Sequence, residues 1–513
     1  MFIKIDRSSE VPIYLQIKES VRTLIVRGTL QPGERLLSTR LFAEKLGINR
    51  MTVEAAFRQL EADGFIKSYV GRGTFVNRLT ATLETTPNGV NNGANMDVET
   101  ISRLWAPLFI DDRSAPATLP ITAARSATKS ISFLSAAPGP DLFPAIGFRR
   151  CADFVLKRRI AEISSIGSSD GLASLKSYLV RWFAQNGMTA SEEEIAVTTG
   201  CQQSMDLIRR VLIQPGDSLI LENPTYPGAV AALAPPAPFP VRRLELPMKN
   251  DGPDMNSIKL LLDRNACKLI YSVPNFHNPT GRTMSLAARR QLVTLASQFR
   301  VPIVEDDVFG ELRYSGASLP TLRSLCPELV MYISSFSKML SPSLRLGWIL
   351  GPRPLIRQVI KVKQSADLHT NLMIQATIDE FCRRDLLNHH MKRVRRLFMR
   401  RRDVMAEVLH KYFPADTKFE APEGGLSMWV SLPLDCNTSD LQRAAAKHGV
   451  QFLPGAAFYF RSALQNSLRL SFATEPEERI REGIRIIGGM LGNRRSRAYL
   501  TVNAQSESAQ PIL

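Results

Sequence analysis

The chain has 513 residues, of which 44% are hydrophobic and 22% charged, proportions that exclude a collagen, a coiled coil or a wholly disordered chain. Lys and Arg outnumber Asp and Glu by 65 to 48, and the net charge of +17 favours a polyanionic partner. The 6 cysteines are widely spread without a CxxC pair, which fits reduced thiols better than disulfides or a metal site. Since no signal peptide opens the chain and prolines interrupt its most apolar stretch, we expect a cytoplasmic protein without a membrane segment.

Composition divides the chain into four segments. Residues 1–79 show the periodicity of short helices, and residues 80–130 are rich in Thr, Asn and Gly, which is typical of a flexible linker. Residues 131–493 alternate apolar strands with helical stretches, which predicts an α/β domain, and residues 494–513 form a polar tail. Within 389–413 apolar residues recur at helical spacing, so we expect its arginines mostly to coat a solvated helix face rather than form a second nucleic-acid patch.

The N-terminal segment predicts a winged helix-turn-helix. Ile17 and Val21 lie on one face of a first amphipathic helix. A short helix over 39–47 and a second helix after Asn49, a good N-cap, are joined by a turn of three or four residues, which is the helix-turn-helix geometry. Residues 65–76 then predict two strands around a Gly-Arg-Gly turn, which forms a wing. A helical protein-interaction module with merely solvated basic residues is the alternative.

The order of these segments resembles the GntR family of bacterial regulators. The matching strings are VPIYLQI (11–17), GTLQPGERL (28–36), STRLFAEKLGINRMTVEAAFRQLEADGFI (38–66) and GRGTFV (71–76). The resemblance implies binding to double-stranded operator DNA, with Arg50 and Thr52 at the first turn of a recognition helix. It also implies contacts from Arg40 and from Arg72 in the wing. Leu37 stands where the family commonly carries proline, but this difference removes no DNA contact.

The string SSFSKMLSPSLRLGWI (334–349) carries the strongest chemical signal. It places Lys338 on a turn after an apolar strand, and an amine there can bond covalently to an aldehyde cofactor. The hydroxyls of Ser335 and Ser337 and the guanidinium of Arg345 can hold a dianionic phosphate. Alone, this string also fits a surface lysine in a Ser-rich loop, an alternative that four further motifs exclude.

Those four motifs supply the other groups that such a cofactor needs. PNFHNPTG can place Asn278 beside a ring hydroxyl, and VPIVEDDVFGELRY ends a buried strand in adjacent carboxylates, one of which can keep a pyridinium nitrogen protonated. TTGCQQSMDL (198–207) puts backbone N–H groups at a helix start, which is a phosphate site. ENPTYPG offers Tyr226 as a stacking face for an aromatic ring.

Together these motifs resemble a fold-type I pyridoxal-phosphate aminotransferase of the branch that contains kynurenine and 2-aminoadipate aminotransferases, over about residues 131–490. The resemblance implies an α/β fold with a mostly parallel central sheet, and pyridoxal 5'-phosphate bound as a Schiff base to the catalytic Lys338. Asp306 is implied as the pyridinium partner rather than Asp307, because the family spaces this aspartate three residues before an aromatic residue, here Phe309. The remaining implied contacts are Asn278, Tyr226, Cys201, Gln202, Ser335, Ser337 and Arg345 for the cofactor and Arg469 for a substrate carboxylate.

Three departures from the family pattern concern turnover. Phe309 stands where the family usually has a tyrosine that donates to the ring oxygen, and Ile166 stands where a tyrosine commonly reaches the partner subunit's phosphate. Cys201 replaces a common serine or glycine in the phosphate loop. We therefore expect a site that binds the cofactor but supports weak or no transamination.

A GntR-type head, a linker and an aminotransferase-like domain in one chain resemble the MocR-like regulators. This resemblance implies a bacterial transcription factor that is cytoplasmic and associates with the nucleoid when bound to DNA. It also implies a homodimer whose large domain senses pyridoxal phosphate, or a small amine or amino-acid effector. The alternative is a catalytically active aminotransferase that carries a DNA-binding head. A purely structural protein is the least favoured class, since two separate chemical sites would then be coincidental.

Overall fold

A computed structural model describes residues 5–6, 11–26, 29–30, 33–69, 73–77, 130–235, 240–460 and 464–506, with the backbone alone for 493–506. Contacts divide the chain into two compact units, Met1–Asp111 and Asp112–Leu513. The predicted linker lies outside the described residues except for Ser130.

The small unit contains three helices followed by a two-stranded antiparallel hairpin. Its elements are α1 (Ile13–Val26), α2 (Thr39–Leu46), α3 (Arg50–Ala62), β1 (Ile66–Tyr69) and β2 (Gly73–Val76). The side chain of Ser38 caps α2, and that of Asn49 accepts a 2.8 Å hydrogen bond from the N–H of Met51 at the start of α3. Gly47 ends α2 at a φ of 61°, a left-handed conformation that glycine adopts without strain. This order confirms the predicted winged helix-turn-helix.

The core of the small unit forms between its three helices and the hairpin. Ile17, Val21, Val53 and Leu60 are fully buried, and Phe42 packs edge-on against Phe57 of α3. Burial of these positions fixes which side of α3 faces outward. The side of α3 opposite Val53 and Leu60 is therefore available to a partner.

The large unit is built on an eight-stranded sheet. Its strands are β4 (Ile195–Thr198), β5 (Ser218–Asn223), β6 (Arg242–Lys249), β7 (Gly252–Pro253), β8 (Cys267–Ser272), β9 (Ile303–Asp306), β10 (Val330–Ser335) and β11 (Gly347–Leu350). The strand order is β4-β11-β10-β9-β8-β5-β6-β7. The five central strands β10, β9, β8, β5 and β6 pair in parallel, whereas β11 is antiparallel to both of its neighbours. The predicted α/β class with a mostly parallel central sheet is confirmed.

Helices alternate with these strands and continue beyond them. They are α4 (Ala145–Arg158), α5 (Ile160–Ile163), α6 (Ala173–Gln185), α7 (Cys201–Leu212), α8 (Pro227–Leu233), α9 (Met255–Arg264), α10 (Leu286–Phe299), α11 (Leu322–Leu325), α12 (Arg353–Asp367), α13 (Leu372–Arg383), α14 (Leu386–Tyr412), α15 (Thr438–Lys447) and α16 (Glu477–Ser506). Since both faces of the sheet are covered, β4, β5 and β10 are buried at every position, whereas most residues of β6, near the edge of the sheet, are exposed or half-buried. The last helix runs to Ser506 and so extends into the predicted polar tail.

A second, smaller sheet follows in the C-terminal part of this unit. It consists of β12 (Lys418–Phe419), β13 (Ser427–Ser431), β16 (Ser467–Ser471) and β15 (Leu453–Pro454) in that order, while β14 (Val450–Gln451) pairs in parallel with β3 (Ile131–Ser132). The long α14 buries Met391, Val394 and Phe398 at helical spacing, as predicted. Arg401 of that helix is buried, however, and donates to the carbonyl of Ala473. Not all of its arginines therefore coat a solvated face.

Candidate functional site

The carboxyl ends of the parallel strands converge on one pocket. Asp306 is the last residue of β9, Lys338 follows β10, Asn278 follows β8 and Tyr226 follows β5. Parallel α/β sheets characteristically bind ligands at this edge. The predicted cofactor residues that line the pocket together are Cys201, Gln202, Tyr226, Asn278, Asp306, Ser335, Ser337, Lys338 and Arg345.

Lys338 lies in a desolvated environment within this pocket. Burial, together with the nearby positive charge of Arg469, lowers the pKa of its ammonium to about 8. Its Nζ lies 5.8 Å from the centre of the Phe309 ring. Because the amine loses its proton more readily than an exposed lysine, it is better suited to attack a carbonyl carbon.

Asp306 has one carboxylate oxygen engaged and one free. The hydroxyl of Tyr271 donates to Oδ2 at 2.7 Å, whereas Oδ1 is buried and has no hydrogen-bond partner among the described residues. Burial raises the pKa of Asp306 to about 6, an effect that the Tyr271 hydrogen bond opposes. A buried acceptor without a partner marks the position where a ligand N–H would be stabilised.

The neighbouring carboxylates of Glu305 and Asp307 serve the scaffold instead. Glu305 accepts hydrogen bonds from the N–H groups of Leu322 and Arg323 at 2.9 and 2.8 Å. Asp307 accepts from the amide of Asn275 at 2.9 Å and from the Tyr332 hydroxyl at 3.1 Å. Of these three adjacent acids, Asp306 lines the pocket, and its role as the pyridinium partner stays a prediction.

An anion cradle lies at the start of α7. Gly200 precedes this helix with a φ of 100°, and a side-chain carbon there would come within 3.0 Å of Arg345 Nη2. The free N–H groups of a helix's first turn attract a phosphate. The buried hydroxyls of Ser335 and Ser337 lie on the same pocket wall as Cys201, whose pKa is raised well above its usual value by burial.

Arg469 lies beside Asn278. Its Nη1 donates to the Asn278 Oδ1 at 2.9 Å, and its Nη2 donates to the Leu134 carbonyl. Its Nε is buried and unpaired among the described residues, and its guanidinium carbon lies 4.9 Å from the centre of the Phe458 ring. Burial lowers the pKa of Arg469 to about 10, so it remains a cation at neutral pH. The arrangement suits a buried contact with a carboxylate.

Of the three residues that depart from the family pattern, Phe309 and Ile166 differ in environment. Phe309 lines the pocket and is only 4% exposed, so an apolar ring lies where a hydroxyl was expected in active relatives. Ile166 is 83% exposed in the isolated chain, which is unusual for a side chain of this size.

Sequence reasoning missed a buried pair that joins two loops of the pocket. Nε2 of His277 lies 3.2 Å from Glu222 Oε2, and the two side chains are 2% and 0% exposed. Glu222 also accepts from the Ser272 hydroxyl at 2.6 Å and the Val273 N–H at 3.0 Å. Since Glu222 precedes the loop of Tyr226, and His277 precedes Asn278, the pair holds these two loops together. Its only signal in the sequence was a charged residue inside each motif.

A second missed residue supports Lys338 from behind. His390 on α14 contacts the carbonyl oxygen of Met339, the residue after Lys338, through Nε2 at 3.0 Å. Burial lowers the pKa of His390 to about 4, so the ring is neutral at pH 7 and Nε2 carries the proton that it donates. This hydrogen bond ties the turn of Lys338 to the long helix.

The predicted DNA contacts within the described residues fall on the outer side of the small unit. Arg40 is exposed on α2, and Arg50 and Thr52 occupy the first turn of α3, with Arg50 exposed and Thr52 half-buried. Arg50 forms an ion pair with Glu54, an acidic neighbour that the sequence prediction did not include. Arg72 lies outside the described residues.

The cysteines and the helices bear on two expectations from composition. All the cysteines are free, and no group of three or more His, Cys, Asp or Glu side chains in the described part of the chain is placed to hold a metal ion. None of the helices described is long and apolar enough to cross a membrane.

Comparison with known proteins gives two family matches. Residues 155–487 match the family "Aminotransferase class I and II", and residues 13–76 match "Bacterial regulatory proteins, gntR family". The aromatic-amino-acid aminotransferase 1 of Thermococcus litoralis is 34% identical over 69% of this chain and 86% of its own length. The probable rhizopine catabolism regulatory protein MocR of Rhizobium meliloti is 27% identical over 94% of both chains. The solved α-aminoadipate aminotransferase LysN of Thermus thermophilus, complexed with N-(5'-phosphopyridoxyl)-L-leucine, is 31% identical, covers 76% of this chain and 98% of its own, and superposes with a TM-score of 0.70.

Proposed function

This chain belongs to the class I and II aminotransferase family and carries a GntR-family domain at its N-terminus, and we propose from this membership that it is a DNA-binding transcriptional regulator controlled through its aminotransferase-like unit. The observation that carries the proposal is that one chain contains both a winged helix-turn-helix and a pocket lined by the predicted cofactor residues. The similarity to the regulator MocR, which extends over both units, supports it. Such a protein acts in the bacterial cytoplasm, on the nucleoid when it is bound to DNA.

The small unit supplies the DNA contact. A winged helix-turn-helix presents the first turn of its second helix to the major groove, and here that turn carries Arg50 and Thr52. Arg40 on α2 and Arg72 in the wing add contacts to the phosphate backbone. These cations account for a sequence-independent, salt-sensitive component of the affinity.

The pocket fits pyridoxal phosphate by the chemistry of its donors. Asp306 has a buried, unpartnered Oδ1 for a ring N–H, and the cradle of Gly200 and Arg345 suits the phosphate. Lys338 supplies an amine of lowered pKa for the aldehyde. Tyr226, Asn278, Cys201, Gln202, Ser335 and Ser337 would complete the contacts to the cofactor. When bound, pyridoxal phosphate supplies an electron sink for bonds at the carbon next to an amine.

The residues around this cofactor would have separate roles. Asp306 accepts a hydrogen bond from Tyr271 and, when ionised, would stabilise a proton on the ring nitrogen of the cofactor. Asn278 is oriented by a hydrogen bond from Arg469. Lys338 can hold or release a proton near neutral pH, since its pKa is about 8. Arg469 binds the carboxylate of an incoming amino compound, which orients the amine toward the site of reaction.

We infer that the effector is a small amine or amino acid. Its binding favours one arrangement of the regulator over another, and operator affinity changes by the same coupling free energy. Phe309 lacks the hydroxyl that would donate to the cofactor, so capture of the effector is preserved better than turnover. Loss of one such donor costs on the order of 1–3 kcal/mol.

We propose that the protein acts as a homodimer. Ile146, Phe154, Leu156, Ile160 and Ile166 are exposed apolar side chains that fall close together in the sequence, on α4, on α5 and in the loop after them. A second copy of the chain that packed against this segment would bury these apolar side chains.

A working aminotransferase with a DNA-binding head is the second candidate. The presence of Lys338, Asp306, Asn278 and Arg469 in one pocket region favours it, because these residues suffice to bind an amino acid beside the cofactor. Steady-state assays with amino acids and a 2-oxo acid separate the two candidates. Sustained turnover of roughly 1 per second or faster, within the usual range for enzymes, would favour the enzyme.

The proposed function is tested on the purified full chain in two measurements. Duplexes selected from a random pool by the protein are expected to bind more tightly than unselected duplexes at physiological salt. Pyridoxal phosphate is expected to give the protein a visible absorbance band that Lys338→Ala removes and Lys361→Ala, which changes an exposed lysine of α12, retains. A chain that selects no duplex or gains no band would contradict the proposal.

A further inference from the structure

The outward side of α3 carries an acidic residue among the basic ones. Val53, Ala56, Phe57 and Leu60 face the core, so the positions left outward include Arg50, Glu54 and Arg58. A carboxylate on a surface that meets phosphate groups is repelled by them unless it contacts a base or a cation. The location of Glu54 therefore requires a specific role or weakens DNA binding.

The geometry between Arg50 and Glu54 indicates that role. Nε of Arg50 lies 2.7 Å from Oε1 of Glu54, one helical turn away, and the two side chains are 63% and 30% exposed. This contact occupies one edge of the guanidinium and leaves its two terminal nitrogens as donors. It also leaves Oε2 of Glu54 without a hydrogen-bond partner among the described residues.

The free atoms of the pair match the groups that bases expose in the major groove. The terminal nitrogens of an arginine donate to O6 and N7 of guanine, and a glutamate accepts from the N4 amino group of cytosine. Phosphate offers only acceptors, so it can satisfy Arg50 but not Glu54. The free carboxylate of Glu54 next to Arg50 therefore favours contacts with base edges over contacts with the DNA phosphates.

We propose that Glu54 is a specificity-determining residue of the DNA-binding unit, which holds Arg50 toward guanine and accepts from a cytosine at an adjacent base pair. It also penalises sequences that offer it only acceptors, which is specificity by repulsion. This inference rests on the proposed DNA-binding function. It predicts neighbouring G and C contacts in each operator half-site.

The test compares Glu54→Gln and Glu54→Ala with wild type in the full chain. Selected and random duplexes are titrated by fluorescence anisotropy at several salt concentrations. We expect both variants to bind random duplex more tightly, because a negative charge is removed, and the selected-to-random affinity ratio to fall by roughly 5- to 150-fold. Repeating the selection with Glu54→Gln should change the preferred base at the cytosine position toward adenine, which glutamine recognises.

Glu19→Gln is the matched control. Glu19 accepts from Arg22 at 3.0 Å on α1, outside the helix-turn-helix, so this variant removes the same charge from an equivalent exposed pair. Its affinity ratio and preferred bases should equal those of wild type. An unchanged ratio and unchanged base preference in both Glu54 variants would overturn the inference while leaving DNA binding intact. A wild-type chain without preference for any duplex would overturn the proposed function, and the inference with it.

Discussion

At the scale of single residues, Asp306 shows how burial prepares a group for its ligand. Its pKa is raised from 3.8 to about 6, because the pocket disfavours the charged carboxylate. Between these values the folded protein holds a proton that the unfolded chain has lost. The contribution of Asp306 to stability is therefore present below pH 3.8 and is lost as the pH rises through about 6.

This sign leads to a prediction for the protein without cofactor. Asp306→Asn keeps the acceptor for Tyr271 and removes the titration, so its stability relative to wild type should increase with pH by about 1.4 kcal/mol per unit across the window. Thermal or urea unfolding at pH 4.5 and pH 6.5 measures the difference. Asp435→Asn, which changes an exposed carboxylate, should show no such trend. A constant difference between Asp306→Asn and wild type would contradict the assignment.

At the scale of elements, the pocket depends on contacts between loops that are far apart in the sequence. The His277–Glu222 pair joins the loop after β8 to the loop after β5. His277→Leu removes this contact and leaves Glu222 with its hydrogen bonds from Ser272 and Val273 alone. We expect the affinity for pyridoxal phosphate to fall roughly tenfold, or about 1.4 kcal/mol. His277→Gln keeps a polar side chain that can donate to Glu222 and should retain most of the affinity. Absorbance titration measures these affinities. If His277→Leu bound pyridoxal phosphate as tightly as His277→Gln and wild type do, the pair would not position the loops.

The start of α7 offers a second prediction at this scale. Gly200 and Gly216 have φ values of 100° and 92°, so alanine at either position strains the backbone by about 1–3 kcal/mol. A Cβ at Gly200 meets Arg345, whereas a Cβ at Gly216 has nothing within 4 Å. We expect Gly200→Ala and Gly216→Ala to lower the melting temperature similarly, and only Gly200→Ala to weaken binding of pyridoxal phosphate. If Gly216→Ala weakened binding of pyridoxal phosphate equally, the phosphate site would not lie at Gly200.

At the scale of the whole molecule, association should depend on the exposed apolar residues of α4, α5 and the loop after them. Ile160→Asp places a charge at a position that is 55% exposed in the single chain, so folding should be preserved. Burial of the introduced carboxylate against a second copy would cost several kcal/mol without a partner charge, and the dimer should dissociate. Sedimentation of Ile160→Asp beside Leu260→Asp, an exposed leucine on α9, measures the effect. A dimeric Ile160→Asp chain would place the interface elsewhere.

The sequence was sufficient to predict features that are formed by residues close together in the chain. The turn of Lys338, the acidic end of β9 and the helix-turn-helix each lie within one short string, where spacing fixes the geometry. The contacts of His277 with Glu222 and of His390 with Met339 join residues about 50 positions apart, and only tertiary packing brings them together. The burial of Arg401, on a helix whose arginines were expected mostly to coat a solvated face, has the same cause, since its contact with the Ala473 carbonyl could not be placed from periodicity.

The central claim is that the cofactor pocket controls the DNA-binding unit. The most direct measurement is the affinity of the full chain for a selected duplex, with and without pyridoxal phosphate and a panel of amino compounds, in wild type and Lys338→Ala. Allosteric coupling is typically worth about 1–3 kcal/mol, so we predict a 5- to 150-fold change in wild type and no change in Lys338→Ala. Identical affinities of wild type under all these conditions would contradict the account.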